Sequence, residues 1–300
     1  MTARAPAGVA LPFALATLIW GSTWLVIEHQ LPYAPAAWSI TWRFVLASLA
    51  MVAVARGTGK SLRLGSAEHG LALIVGASQF TLNYLFVYAA EARIASGLVA
   101  LLSALMIVPN TLFASAFLRH AVSRRFVAGS AVAIVGIAIL FTHELVHAAL
   151  PPGRILAGVA FSVAGLLAAS VGNVLQGTRI AHRAAPSSLL AWAMAYGAVG
   201  DAVAAWAMDG PPRFSLAPAY LAGLLYLSVA GSAVAFSCYY AVIRAVGPAR
   251  AAWVGVLIPV IAMALSTVFE GYRWSGAAAA GAALAVAGLA LAIRARSPAR

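Results

Sequence analysis

Apolar residues in this chain gather in long blocks and do not alternate with polar ones. Ten blocks have about the length a helix needs to cross a bilayer, roughly 17–25 residues. They predict helices over 9–28, 36–55, 69–90, 94–118, 126–143, 155–178, 187–208, 218–243, 251–270 and 274–293. The breaks between them are short. Several carry the Pro, Gly and charge punctuation of loops, such as Leu31-Pro32, Pro151-Pro152-Gly153 and Gly210-Pro211-Pro212. The pattern predicts an all-α polytopic membrane protein with ten transmembrane helices and leaves no room for a soluble domain.

The landmarks along these blocks occur twice. Pro109 lies inside the fourth block and Pro259 inside the ninth, 150 positions on, half the chain. In the blocks that follow, Gly129 and Gly136 are answered by Gly281 and Gly288, each pair seven apart. Matched halves are the signature of a repeat-built transporter. The boundary falls at Pro152, giving one five-helix repeat over 1–152 and a second over 153–300. An odd number of spans brings the second repeat in upside down, so two inverted five-helix repeats are expected.

The basic residues set the direction. Of nineteen Lys and Arg, Arg43 stands inside a helix and four (Arg93, Arg154, Arg213, Arg273) fall on one side of the predicted topology. The other fourteen fall on the opposite side. The positive-inside rule places those fourteen, and both termini, in the cytoplasm. A missing or added helix would scramble this asymmetry, so it supports the count as well.

Composition agrees and removes other classes. Hydrophobic residues make up 63% and charged residues 9%, with a mean hydropathy of +0.95; soluble domains carry roughly a quarter charged residues. A net charge of +12 would suggest nucleic acid in a soluble chain. Here the positive groups lie between apolar blocks, and no nucleic-acid partner is expected. Cys238 is the single cysteine, so no intrachain disulfide forms. The first block lacks a convincing cleavage site after it and is taken as a retained helix. No GxxxxGK[ST] sequence is present, so ATP is not the direct driver and no cofactor is expected.

Polar side chains in hydrocarbon are costly unless they face a partner or water. Gln79 and Asn83 are four apart on helix three, with Phe86 next on that face. Ser170, Asn173 and Gln176 share a face of helix six. Helix eight offers Ser232, Phe236, Tyr239 and Tyr240, and helix four Ser103 and Asn110. Interhelical hydrogen bonding accounts for any one of them; as a set they suggest an uncharged, aromatic-walled cavity. Trp20, Gln79, Asn83, Tyr84, Ser103, Asn173, Gln176 and Tyr239 are the expected lining. Trp20 either walls this cavity or packs in the core, and Trp253 is expected at the interface.

Arg43 either meets a substrate carboxylate or holds helix two in place, with the structural role preferred. Asp201 either couples protons or makes a local pair. Glu270 is expected in a rim ion pair with Arg273. Pro109 and Pro259 are expected to kink helices four and nine and to act as hinges. The paired glycines are expected to allow close helix packing.

Ile19-Trp20-Gly21-Ser22-Thr23-Trp24, Trp42-Arg43-Phe44, and Leu257-Ile258-Pro259-Val260 through Phe269-Glu270-Gly271 together resemble the first-, second- and ninth-helix motifs of one family. It is the EamA branch of the drug/metabolite transporter superfamily. The likeness covers nearly the whole chain. It departs where the family often closes the fourth helix with an acid, since Arg119-His120 stand there. The close of helix nine, Ser266-Thr267-Val268-Phe269-Glu270-Gly271-Tyr272-Arg273-Trp274, looks most like the bacterial aromatic amino-acid exporters of that branch. The resemblance implies an inner-membrane carrier with ten helices and a central cavity between the halves. It would export amino acids, aromatic or otherwise apolar, or related small metabolites, by alternating access; a monomer is expected to suffice.

One motif points elsewhere. His143-Glu144-Leu145-Val146-His147 has the zincin spacing, two imidazoles on one helical face with a glutamate base, and Asp209 could add a ligand. The alternative reading is therefore an intramembrane zinc metalloprotease. Its position at a helix end just before Pro151-Pro152, and a two-fold repeat that a protease does not need, count against it.

Overall fold

The computed structural model describes residues 9–118, 122–147, 150–246 and 253–294, except the side chains of 118, 143–147, 240, 243–246, 253 and 294. Arg119-His120 and the side chains of His143, Glu144, His147, Tyr240 and Trp253 therefore lie outside the described residues.

Ten long helices carry the described chain, with no strand among the described residues. They are α1 (Ala10–Gln30), α2 (Ala36–Gly57), α3 (Ser66–Glu91), α4 (Ser96–Ala104, resuming as Ile107–Leu118) and α5 (Arg124–His147). Then come α6 (Pro152–Leu175), α7 (Pro186–Asp209), α8 (Pro218–Leu225 and on to Val246), α9 (Trp253–Phe269) and α10 (Gly276–Arg294). All but α9, at 17 residues, are long and apolar enough to span a bilayer. Proline opens α6, α7 and α8, where the missing N–H costs nothing. Gly210 ends α7 at φ +77°, a conformation that a side chain would strain.

The chain forms two compact units, and neither is a sequence half. Each draws helices from both repeats.

Unit one comprises 1–25, 93–159 and 234–300. In it α5 and α10 lie against each other on a glycine and alanine seam. A Cβ on Gly136 would stand 2.6 Å from the Gly281 carbonyl oxygen, and one on Gly281 would stand 2.6 Å from that of Gly136. Gly129 and Gly288 repeat the arrangement two turns away. Here the sequence reading holds: the glycines admit backbone against backbone. Gly97 does the same for α4 against Met263 and Ser266 of α9.

Glu270 differs from expectation. Among the described residues it makes no ion pair with Arg273. Its carboxylate instead accepts the Ser96 N–H at 3.0 Å, the Ser96 hydroxyl, and the Ser266 hydroxyl at 3.1 Å. It caps the start of α4, whose first N–H groups have no partner of their own and carry the positive end of the helix dipole. That pull exceeds the attraction of an exposed arginine, which water screens.

Unit two comprises 26–92 and 160–233. Its seam joins α2, α3 and α7. The Ser48 hydroxyl donates to the Ala191 carbonyl at 2.9 Å and Thr81 to that of Gly197 at 2.9 Å. A Cβ on Gly76 would stand 2.6 Å from the Ala193 carbonyl oxygen.

The two prolines are not alike. Around Pro109 the helix breaks at Leu105-Met106 and restarts, so Pro109 sits in a first turn where no N–H is required. Pro259 lies inside an unbroken α9.

Candidate functional site

The centre of α3 is wound more widely than an α-helix. Gly76–Leu82 is π-helical, and so is Tyr226–Val234 in α8, which begins 150 positions later. Each repeat thus carries a π segment at its third helix. Such segments shift the side-chain register by part of a turn and recur at functional sites. The hydropathy pattern does not show them, because residue type barely changes across them.

In unit two the first π segment presents Gln79, and Asn83 follows it. Both are buried, and the Asn83 amide donates to the Gln79 carbonyl at 3.4 Å. The Gln79 side-chain oxygen is buried and accepts no hydrogen bond from the described residues. Across from them α6 offers glycines: a Cβ on Gly172 would meet Gln79 Cβ at 2.9 Å, and one on Gly165 would meet the Asn83 side-chain oxygen at 3.4 Å. Asn173 is next to Gly172 and half-buried. Gln176 lies just past Leu175, where α6 ends, so it stands in a turn and not on the predicted helical face. Ser170 donates to the Leu166 carbonyl of its own helix. The equivalents of Gln79 and Asn83 in the second repeat are Val229 and Ala233. The amide face is therefore one-sided even though the repeat is not.

Tyr84, one residue beyond Asn83, leads to the charged interior of the unit. The Arg43 guanidinium sits 4.6 Å from the centre of its ring and donates to its hydroxyl, at 3.4 Å. It also donates to the Ser232 hydroxyl of the second π segment at 3.4 Å. Arg43 is 2% exposed, and its charge also reaches Tyr88 and Glu91. Asp201 on α7 is fully buried within that field; neither carboxyl oxygen accepts a hydrogen bond from the described residues, and the neighbouring Thr81 hydroxyl donates to Gly197. Arg43 thus ties α2 to α3 and α8, the structural role preferred from sequence. Its contact with Tyr84 was not foreseeable, because the two are 41 positions apart.

The remaining expected residues lie in unit one. Trp20 of α1 meets Phe236 edge-on at 5.1 Å and Tyr239 at 5.2 Å. Ser103 is half-buried next to the break in α4, and its carbonyl accepts the Met106 N–H. No cluster of three or more His, Cys, Asp or Glu that could hold a metal occurs among the described residues.

Comparison with known proteins decides the class. The EamA-like transporter family model matches residues 8–142 and again 156–294. The chain belongs to the EamA-like transporter family. One copy covers the first five helices and the second the last five, so the fold is that of two inverted five-helix repeats. Protein PagO of Salmonella typhimurium is 20% identical over 271 residues, 89% of this chain and 86% of PagO. A crystal structure of a protein 19% identical in sequence matches 95% of this chain and 96% of its own, with a TM-score of 0.69. That likeness shows the fold. The protein is a multi-pass membrane transporter by family, and the side chains of His143, Glu144 and His147 lie outside the described residues.

Proposed function

We propose that this transporter exports amino acids, aromatic or otherwise apolar, across a bacterial inner membrane by alternating access to a small-molecule site. The amide face of α3 supports this reading most directly. A buried amide oxygen with no donor costs roughly 1–3 kcal/mol, and the ammonium of an amino acid would satisfy Gln79 at no such cost. Asn83 and Asn173 offer both donors and acceptors, which suits a zwitterion better than a bare ion. In unit one, Trp20, Phe236 and Tyr239 form an aromatic cluster of their own. The helix break near Pro109 and the interior Pro259 are the proposed bending points.

The test is counterflow of labelled phenylalanine, tryptophan, leucine and other amino acids into liposomes containing the purified protein. Saturable flux is expected for at least one apolar amino acid. Asn83→Ala and Asn173→Ala are each expected to raise half-saturation about tenfold, the equivalent of ~1.4 kcal/mol. Unchanged half-saturation in both would remove the amide face from the substrate path. Absence of flux for every amino acid would overturn the substrate class.

The fourteen-to-four distribution of Lys and Arg supports cytoplasmic termini. Green fluorescent protein fused to the carboxyl terminus is expected to fluoresce and alkaline phosphatase at the same position to be inactive. The reverse result would invert the topology.

A further inference from the structure

The segment 58–65 between α2 and α3 is short, basic and tied down. Gly59, at φ +66°, turns the chain, and the Lys60 N–H returns to the Ala55 carbonyl at 2.8 Å. Two consecutive carbonyls are then bound by α7: the Ser188 hydroxyl donates to that of Ser61 at 2.8 Å, and the Trp192 indole N–H to that of Leu62 at 2.8 Å. His69 stacks edge-on against Trp192 at 4.8 Å and meets the Tyr196 hydroxyl at 2.9 Å. All of these residues belong to unit two.

Around this loop lies a concavity of about 680 Å³ lined by Arg56, Lys60, Arg63, His69 and Trp192, with Leu62 and Leu64. A smaller one of about 270 Å³ shares Arg63 and adds Arg183, with Glu68 as the acid of its rim. No ion pair among the described residues involves Arg56, Lys60 or Arg63. A basic loop by itself marks only which side faces the cytoplasm. This one is held on a helix by the Ser188 and Trp192 hydrogen bonds and borders an open recess, whereas a solvated topogenic loop has no such anchors.

The apolar surface continues from the same place. On α2, Leu49 is 59% exposed, and the stripe of exposed residues Val45, Leu49 and Ala53 ends at Arg56. On α3, Leu73 and Ile74 are about half exposed one turn below His69. Cations at the end of a lipid-facing apolar track match a molecule with a negative head and a hydrocarbon tail.

We propose that the concavity beneath the α2–α3 loop binds the phosphate-bearing headgroup of an anionic phospholipid, with its acyl chain along Leu49 and Val45. The arginines supply forked donors for the phosphate oxygens, and Lys60 adds a mobile point charge. Trp192 and His69 border the same recess and would meet the glycerol and ester groups of such a lipid. Basic recesses between helices on the cytoplasmic side recognise anionic headgroups in this way. The site stands whether or not the transported solute is an amino acid.

The experiment is native mass spectrometry of the purified full-length protein with equimolar phosphatidylglycerol and phosphatidylcholine of identical chains. Phosphatidylglycerol is expected to be retained at least about tenfold over phosphatidylcholine. The preference is expected to vanish in Arg56→Gln/Lys60→Gln/Arg63→Gln and to survive in Arg124→Gln/Arg125→Gln. Arg63→Gln alone, which leaves the loop anchors untouched, is expected to weaken retention severalfold and serves if the triple variant does not fold. Equal retention of the two lipids, or a preference that outlasts the loop substitutions, would overturn the proposal. Displacement of the lipid by an equal concentration of glycerol phosphate would assign the recess to a soluble phosphate compound and overturn it as a lipid site.

Discussion

Arg43→Ala is expected to lower the stability of the purified protein by about 3–5 kcal/mol, seen as a fall of the melting midpoint in detergent. The substitution removes the largest fully buried side chain among the described residues, along with its contact over the Tyr84 ring and its bonds to Tyr84 and Ser232. It also strips the buried acid Asp201 of the positive field that faces it. Lysine is not expected to restore stability, since a point charge cannot reach Ser232 and Tyr84 together or lie flat on a ring. The electrostatic part separates in a double-variant cycle. Asp201→Asn and Arg43→Met are expected to be non-additive, because the buried Asp201 carboxyl group lies in the field of Arg43. Strict additivity of the two substitutions would show that Arg43 and Asp201 do not interact.

The second large effect is expected at the α5–α10 seam. Gly136→Leu places a side chain where even a Cβ would stand 2.6 Å from the Gly281 carbonyl oxygen. Backbone cannot give way as a flexible side chain does, so the helices must part. Overpacking commonly costs about 1–3 kcal/mol, and more where no rearrangement relieves it. Loss of the monodisperse peak in size-exclusion chromatography is expected, with Gly136→Ala intermediate. Gly70→Leu on α3, where a Cβ meets nothing within 4 Å, is the control and is expected to elute as the parent does. Equal behaviour of Gly136→Leu and Gly70→Leu would mean that the seam does not hold the unit together.

These two sites also show how unevenly the structure could be read in advance. The seam was legible because spacing is local: glycines seven apart lie on one face of any helix, and matching pairs 152 positions apart tell which helices carry them. The Trp20 and Tyr239 assignments came from aromatic residues in apolar blocks, and those two do meet. The environment of Arg43 was not legible. A buried cation announces that partners exist, but its partners come from helices whose order of packing the sequence leaves open. Glu270 misled for a related reason. The nearest opposite charge in sequence was Arg273, whereas the unpaired N–H groups at the start of α4 are a partner that no residue letter displays.

The amino-acid sequence alone determined the number of helices, their limits to within a few residues, the doubled five-helix plan and the family. The helices and their limits follow from a rule that acts within single segments, since in hydrocarbon each backbone must satisfy itself by forming a helix; the doubled plan and the family follow from landmarks and motifs read in order along the chain. The tertiary structure decided which helices gather into each compact unit, the π segments of α3 and α8, the capping of α4 by Glu270 and the loop held on α7. Apolar helix faces look alike to one another, so their pairing rests on a few small residues and buried polar contacts. Most of those contacts join positions more than a hundred residues apart, and all of them exist only once the chain has folded.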